Sequence, residues 1–110
     1  MRDEPRELAT LVLDTLRCDA TDDLGSDEPY ITINEEEVWR ADGVDAGDIR
    51  SIDVRHSFIN IARLVLMDRE VAADDDIGSK IIESAEAGLG LRRAFMNNGS
   101  ANYIIEYHVE

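Results

Sequence analysis

The last strand-like segment of the chain alternates apolar and mostly polar side chains with a period of two. One set of positions carries Tyr103, Ile105, Tyr107 and Val109, and the other carries Asn102, Ile104, Glu106 and His108. Because neighbouring side chains of a β-strand point to opposite faces, this pattern predicts a strand with one buried face. Such a strand needs further strands to cover its apolar face, so the rest of the chain must supply a sheet.

Several other segments are also rich in β-branched and apolar residues. Residues 30–33 are strongly β-prone, and residues 58–67 form the most apolar stretch of the chain. Residues 8–20 predict a long strand, although their spacing also suits the apolar stripe of a helix. Acidic or glycine-containing loops separate the strand-like segments of the chain. Counted along the whole sequence, these segments number roughly eight. This spacing predicts an all-β fold, a β-sandwich of antiparallel strands.

The length of 110 residues suits one domain, and a hydrophobic content of 44% supplies its core. We therefore expect a single β-sandwich domain over residues 1–110, with a flexible N-terminal segment at residues 1–7. No signal-peptide core follows the charged start, and no apolar run is long enough to cross a membrane, which predicts a soluble chain. Cys18 is the only cysteine, so neither an internal disulfide nor a cysteine-based zinc site is expected.

Acidic residues outnumber basic ones by 25 to 11, which leaves a formal net charge of −14. A surface with this charge repels the phosphates of nucleic acids and the head groups of anionic lipids. Nucleic-acid binding is therefore not expected. The composition instead favours metal ions or a basic protein partner as the ligand.

Many of the acidic side chains fall in or beside two loops, at residues 19–28 and 68–76. The first group is Asp19, Asp22, Asp23, Asp27 and Glu28, and the second is Asp68, Glu70, Asp74, Asp75 and Asp76. Like charges this close repel one another, and a divalent cation removes that cost. Ca²⁺ accepts about 6–8 oxygen ligands, many of them carboxylates. The two loops therefore predict a calcium site, and a pair of merely solvated acidic loops is the alternative.

The amino-acid sequences of the two loops exclude the EF-hand motif and match the βγ-crystallin motif in part. An EF-hand loop needs glycine at its sixth position, where counting from Asp19 gives Leu24 and counting from Asp74 gives Ser79. Residues 22–26 come close to the βγ-crystallin motif, but Asp27 stands where that motif has its final serine. A βγ-crystallin-like calcium-binding domain stays open as an alternative.

Taken together, the two loops resemble those of the C-two family, the calcium-dependent phospholipid-binding β-sandwiches. Residues 22–31, DDLGSDEPYI, are similar to the first calcium loop of that family, in which Ser-Asp-Pro-Tyr-Val follows a glycine-containing turn. Residues 64–78, LVLMDREVAADDDIG, are similar to its third loop, an apolar strand followed by Asp-x-Asp and then Asp-x-x-Gly. The resemblance implies an eight-stranded antiparallel Greek-key sandwich. Since one strand alone precedes the first loop, it implies the permuted strand order of the family.

Carried over position by position, the resemblance also implies a set of calcium ligands. These are Asp22, Glu28, Asp68, Glu70 and Asp75. Alternative ligands in the same loops are Asp23, Asp27, Asp74 and Asp76. The implied function is a Ca²⁺-binding module whose ion is structural or acts as a switch for contact with a partner or, weakly, with a membrane. The competing hypothesis is a metal-independent module that binds a basic protein through its acidic face.

Tight membrane binding and catalysis are both disfavoured. Two bound Ca²⁺ ions would still leave a charge of about −10, and the apolar residues at the loop tips, Leu24 and residues 71–73, are few. No catalytic motif occurs, and no spacing links His56 or His108 to a nucleophile. We therefore expect a non-enzymatic protein with weak membrane contact at most. Trp39 is expected in the core of the sandwich.

Overall fold

Eight β-strands make up most of the protein in a computed structural model, which describes residues 6–110. They are β1 (Leu8–Ala20), β2 (Pro29–Ile33), β3 (Glu36–Arg40), β4 (Ile49–Ile59), β5 (Ile61–Asp68), β6 (Asp75–Glu83), β7 (Arg92–Asn97) and β8 (Asn102–Val109). A single turn of 3₁₀-helix, Ser84–Glu86, follows β6. The prediction of an eight-stranded all-β chain is confirmed, and residues 8–20 form a strand rather than a helix.

The strands form two four-stranded sheets that pack face to face. One sheet has the order β4-β1-β8-β7, and the other has the order β3-β2-β5-β6. Every pairing within the sheets is antiparallel. One strand precedes the first acidic loop, as the permuted order predicts.

The core lies between the two sheets and contains the inward-facing side chains that the period-two pattern predicts. Tyr103, Ile105 and Tyr107 on β8 are completely buried, and they are joined by apolar residues from β1, β2, β5 and β6. Trp39 does not lie in this core. It is partly buried and packs against its margin, because β3 is an edge strand of its sheet.

The edge strands β6 and β7 belong to opposite sheets and approach each other closely at Gly78. A Cβ atom at this position would lie 2.9 Å from Cα of Met96 on β7. Glycine therefore permits this contact because it has no side chain. The close approach brings the free edges of the two sheets together along one side of the sandwich.

Both acidic loops lie at the same end of the sandwich. Pro29 pairs with Asp68 and Asp68 pairs with Asp75, which places the start of β2, the end of β5 and the start of β6 side by side. The connecting segments span residues 21–28 and 69–74. Strand pairing therefore converts two distant acidic stretches of sequence into one acidic pole.

The limits of three predicted segments differ in the structure. Asp19, the predicted start of the first acidic loop, belongs to β1, and the predicted second loop, residues 68–76, is shorter because Asp68 ends β5 and Asp75 begins β6. Of the N-terminal segment expected to be flexible, residues 1–5 lie outside the described residues, whereas the backbone carbonyl of Glu7 accepts a hydrogen bond of 2.9 Å from the N–H of Asn60. Within residues 6–110, no helix is long and apolar enough to cross a membrane.

Candidate metal centre

Five carboxylates converge at the acidic pole. Each offers one oxygen atom, and these five oxygens lie within 4.8 Å of one another. The residues are Asp22 and Asp23 from the first loop, Asp68 and Glu70 from the end of β5 and the loop after it, and Asp75 from the start of β6. This set, called the carboxylate cluster below, joins segments that are far apart in the sequence.

Asp68 is the most buried member of the carboxylate cluster, with 2% of its surface exposed. The backbone N–H of Glu28 donates a hydrogen bond of 2.8 Å to its Oδ1 atom. Burial raises the pKa of Asp68 to about 6, although the hydrogen bond from Glu28 acts in the opposite direction. The residue just before β2 therefore orients a carboxylate that the interior of the protein makes costly to ionise.

Glu70 and Asp75 are affected by crowding among like charges. A hydrogen bond with Asp23 is the main reason that the pKa of Glu70 rises to about 8, and one with Asp22 is the main reason that the pKa of Asp75 is raised. Two carboxyl groups can share a hydrogen bond only when one of them holds a proton. Without a cation the cluster retains protons that isolated carboxylates would lose. A divalent cation can replace those protons, since metal ligands bind in their deprotonated form.

When all five carboxyl groups are ionised, two oxygen atoms of the cluster, Oδ2 of Asp22 and Oε1 of Glu70, are buried without a hydrogen-bond donor among the described residues. Buried carboxylate oxygens normally have a hydrogen-bond donor or a metal ion, because their desolvation is otherwise uncompensated. The other oxygen of Asp22, Oδ1, accepts a hydrogen bond of 2.8 Å from the side-chain amide of Asn98. An all-carboxylate donor set with two unpartnered oxygens fits a hard, oxygen-preferring cation.

The fold itself can be compared with those of known proteins. No protein-family model and no curated protein sequence matches the chain. A solved structure of a C2 domain aligns over 94% of this chain and 97% of its own length, with a TM-score of 0.58 and 13% sequence identity. A C2 domain of plant extended synaptotagmin 1 aligns over 97% of this chain and 95% of its own, with a TM-score of 0.62 and 10% identity. The fold is that of a C2 domain.

The C2 fold also occurs in a calcium-bound structure of extended synaptotagmin 2 that contains two such domains. That structure aligns over 97% of this chain and 46% of its own length, with a TM-score of 0.59 and 10% identity. At these identities the likeness concerns the fold. It confirms the predicted C2-type sandwich.

The C2 fold brings together most of the ligands that the resemblance implied. Those in the carboxylate cluster are Asp22, Asp68, Glu70 and Asp75. Glu28 lies outside it because the next residue, Pro29, faces the core at the start of β2, and alternation turns Glu28 toward solvent. There Glu28 lines an open cavity of about 410 Å³ beside the cluster. Asp23, one of the alternative ligands, occupies the fifth place instead.

Asp27, another alternative ligand, has a different role in the structure. It is 1% exposed, and its Oδ2 atom accepts hydrogen bonds from the backbone N–H of Asp22, at 2.8 Å, and from the phenol of Tyr103, at 2.6 Å. Its backbone also exchanges hydrogen bonds with Val44, at 2.8 and 3.0 Å. Asp27 therefore shapes the first loop from within and does not join the carboxylate cluster.

Asp74 and Asp76, the remaining alternatives, also lie outside the cluster. The Asp74 carboxylate accepts hydrogen bonds from the hydroxyl of Tyr30, at 2.5 Å, and from the backbone N–H of Glu70, at 3.0 Å. The bond from Tyr30 is the main reason that the pKa of Asp74 is lowered. Asp74 thus closes the second loop, while Asp76 is exposed on β6, opposite Met67.

The supporting residues Asn98 and Tyr103 were not recognised as part of the site in the sequence. Residues 97–99 carry the Asn-Asn-Gly signal of a turn, and Tyr103 fits the buried face of β8. Their polar atoms nevertheless hold Asp22 and Asp27. The one available signal was the phenol itself, since a buried tyrosine hydroxyl requires a hydrogen-bond partner.

Proposed function

We propose that this protein is a calcium-binding module in which one Ca²⁺ ion is held between the two acidic loops. Asp22, Asp23, Asp68, Glu70 and Asp75 supply the ligands, and the ion is a structural or switching element of the acidic pole. The observation that carries the proposal is the convergence of five carboxylate oxygens within 4.8 Å, two of them buried without partners.

The spacing of the oxygens suits a single calcium ion. Calcium–oxygen bonds are about 2.3–2.6 Å long, so ligands on opposite sides of one ion lie at most about 5 Å apart. Mg²⁺ is smaller and is usually held by only one or two carboxylates with several waters. A set of five carboxylates therefore favours Ca²⁺ over Mg²⁺.

The same spacing supports a binding role without catalysis. The carboxylate pairs of glycosidases flank a sugar at separations of roughly 5–9.5 Å, whereas all five oxygens here lie within 4.8 Å of one another. Oxygens this close surround an ion and leave no space for an organic group between them. We accordingly assign no reaction to the chain.

Thermal unfolding in Ca²⁺, in Mg²⁺ and in EDTA tests the proposal. At a calcium concentration one hundred times Kd, binding stabilises the folded state by about 2.7 kcal/mol, which raises Tm by on the order of 10 °C for a domain of this size. Mg²⁺ should produce a much smaller shift. Equal melting temperatures in all three conditions would refute calcium binding and would favour the metal-independent module that binds a basic protein.

A matched pair of variants tests the ligand assignment. Asp68→Asn removes a charge from the carboxylate cluster but keeps a side-chain oxygen for the Glu28 N–H. Asp42→Asn makes the same change at an exposed position outside the cluster. The first variant should lose most of the calcium-induced shift in Tm and the second should keep it. Retention of the full shift by Asp68→Asn would contradict the assignment.

Calcium-dependent contact with a membrane is a second candidate function, favoured by the two loop tips. Leu24 in the first loop and Val71 in the second are both fully exposed and flank the carboxylate cluster. Apolar side chains held this way can enter a head-group layer once the ion has reduced the negative charge. Co-sedimentation with phosphatidylserine vesicles in Ca²⁺ and in EDTA tests this role, with Leu24→Ala/Val71→Ala as the variant. Sedimentation that is the same with and without calcium would exclude it.

A further inference from the structure

A groove on the side of the sandwich combines basic and exposed apolar residues. It is open, has a volume of about 480 Å³, and is lined by Lys80, Leu89, Leu91, Arg92, Arg93 and Phe95. Lys80 lies on β6 and Phe95 lies on β7, so the groove follows the line where the free edges of the two sheets meet. We call this surface the β6–β7 groove.

The apolar residues of the β6–β7 groove are unusually exposed for their size. Leu89, Leu91 and Phe95 are 63%, 60% and 70% exposed, and they lie in one surface region. Phe95 occupies the outer face of β7, where period-two alternation would ordinarily place a polar side chain. Exposed aromatic and aliphatic side chains grouped in this way are typical of protein-binding surfaces.

The charge of the β6–β7 groove is opposite to that of the protein as a whole. It contains three of the 11 basic residues, in a chain with 25 acidic ones. Arg92 and Arg93 form ion pairs with Glu86, at 3.2 Å, and with Glu106, at 3.3 Å. Lys80 forms no ion pair with any of the residues 6–110 that the structure describes. Lys80 therefore presents unneutralised positive charge beside the apolar side chains, and Arg93, whose ion pair with Glu106 is made through Nε, keeps a side chain that is 58% exposed.

The backbone of β7 offers a further means of binding. β7 ends its sheet and pairs only with β8 among the described strands, and β6 approaches its other edge at Met96. On the groove side of that contact, over residues 92–95, alternate N–H and C=O groups of this edge have no strand partner. An extended segment from another protein can add to such an edge, and its alternate side chains then point to the two faces of the sheet. Backbone pairing would place one set of those side chains over Phe95 and Arg93.

We propose that the β6–β7 groove binds an extended segment of another protein that carries carboxylate and apolar side chains in turn along one face, at every second residue. The carboxylates pair with Lys80 and Arg93, the apolar side chains cover Phe95 and Leu91, and the backbone pairs with β7. A concave groove along the side of a sandwich suits a chain better than a planar membrane. The small number of basic residues likewise favours a peptide over an anionic bilayer.

The β6–β7 groove acts independently of the calcium site. Lys80 lies five residues along β6 from Asp75, a separation of roughly 16 Å in a strand. This distance exceeds the Debye length of about 8 Å at physiological ionic strength, so the acidic pole is largely screened from the groove. Binding of the segment should therefore occur in EDTA as well as in Ca²⁺.

A titration followed by the ¹H–¹⁵N NMR spectrum of the whole chain in EDTA tests this proposal. The probes are two eight-residue peptides, one with the repeat Glu-Ser-Val-Ser and the other with the repeat Lys-Ser-Val-Ser, so that charged and apolar side chains share one face of the extended peptide. A third titration uses phosphatidylserine vesicles. The glutamate peptide should shift the amide signals of residues 92–97 and of Lys80. The lysine peptide and the vesicles should leave those signals unchanged.

Charge-reversed variants complete the test. Lys80→Glu/Arg93→Glu should weaken binding of the glutamate peptide by about tenfold or more, whereas Arg63→Glu, an exposed position on β5 outside the groove, should not. A dispersed spectrum of each variant confirms that it is folded. The proposal is overturned if the glutamate peptide does not shift residues 92–97, if both peptides bind equally well, or if only the vesicles bind.

Discussion

The phenol of Tyr103 donates a hydrogen bond of 2.6 Å to Oδ2 of Asp27 inside the domain. Tyr103 lies on β8 at the centre of one sheet, and Asp27 lies in the first acidic loop. The same Oδ2 atom accepts the N–H of Asp22, a member of the carboxylate cluster. A single buried carboxylate therefore connects the hydrophobic core to the candidate metal centre.

Removal of this connection should weaken both the fold and calcium binding. Tyr103→Phe leaves Asp27 without its buried donor, which should lower the free energy of unfolding by about 1–3 kcal/mol. Because the first loop is then less well positioned, the Kd for Ca²⁺ should also rise. Urea unfolding measures the first effect and calorimetric titration measures the second.

Tyr107→Phe is the matched control for that variant. Tyr107 is also completely buried on β8, but its hydroxyl donates to Glu86, at 2.7 Å, in the 3₁₀ turn. This variant should lose a similar amount of stability with no change in calcium affinity. An equal loss of affinity in both variants would show that general destabilisation, rather than the bond to Asp27, weakens the site.

Asp68→Asn should change stability in opposite directions with and without calcium. In EDTA the substitution removes one charge from a crowded and buried cluster, so the variant should be as stable as the unsubstituted protein or more stable. In saturating Ca²⁺ the variant should be the less stable of the two, because it has lost a charged ligand. Paired melting curves in both conditions measure this. The prediction is wrong if the substitution lowers the stability of the protein more in EDTA than in Ca²⁺.

His108 lies at the end of the sandwich opposite the acidic pole, and it should make the stability of the protein depend on pH. A hydrogen bond with Asp14, at 2.9 Å, and a second with Glu110, at 3.1 Å, raise the pKa of His108 above its ordinary value of 6.5. A raised pKa in the folded state means that the stabilisation is complete below pH 6.5 and is lost as the pH rises through the folded-state value.

Urea unfolding measured between pH 5 and pH 9 tests this prediction. The free energy of unfolding of the unsubstituted protein should fall across the titration of His108. His108→Gln and Asp14→Asn should both reduce that fall, because each removes one member of the main hydrogen-bonded pair. A pH dependence that is the same in all three proteins would show that His108 does not carry it.

Gly78→Ala should disturb the junction of the two sheets. The added methyl group would lie 2.9 Å from Cα of Met96, so backbone must move to accept it. We expect a loss of about 1–3 kcal/mol in the free energy of unfolding, measured in urea. Ser79→Ala is the control, since Ser79 is the next residue and is exposed. Equal stability of the two variants would mean that β6 can move away from β7 at little cost.

The sequence by itself determined the all-β character of the chain and the approximate position of the acidic loops. The alternation of residues 103–109 is a direct consequence of strand geometry, which places successive side chains on opposite faces whatever the rest of the chain does. The two acidic stretches are visible in the amino-acid sequence alone. So are two members of the carboxylate cluster, Asp68 at the end of an apolar strand and Asp75.

Only the tertiary structure decided which carboxylates meet and which surface carries the basic groove. The turn over residues 21–28 depends on hydrogen bonds from Tyr103 and to Val44, both distant in sequence, and these bonds place Asp23 rather than Glu28 in the cluster. Lys80 and Phe95 likewise face one groove because Gly78 lets the edges of two sheets approach. A two-residue period specifies the face of a strand, whereas loop dihedral angles and the packing of sheet on sheet arise from contacts between residues that are far apart along the chain.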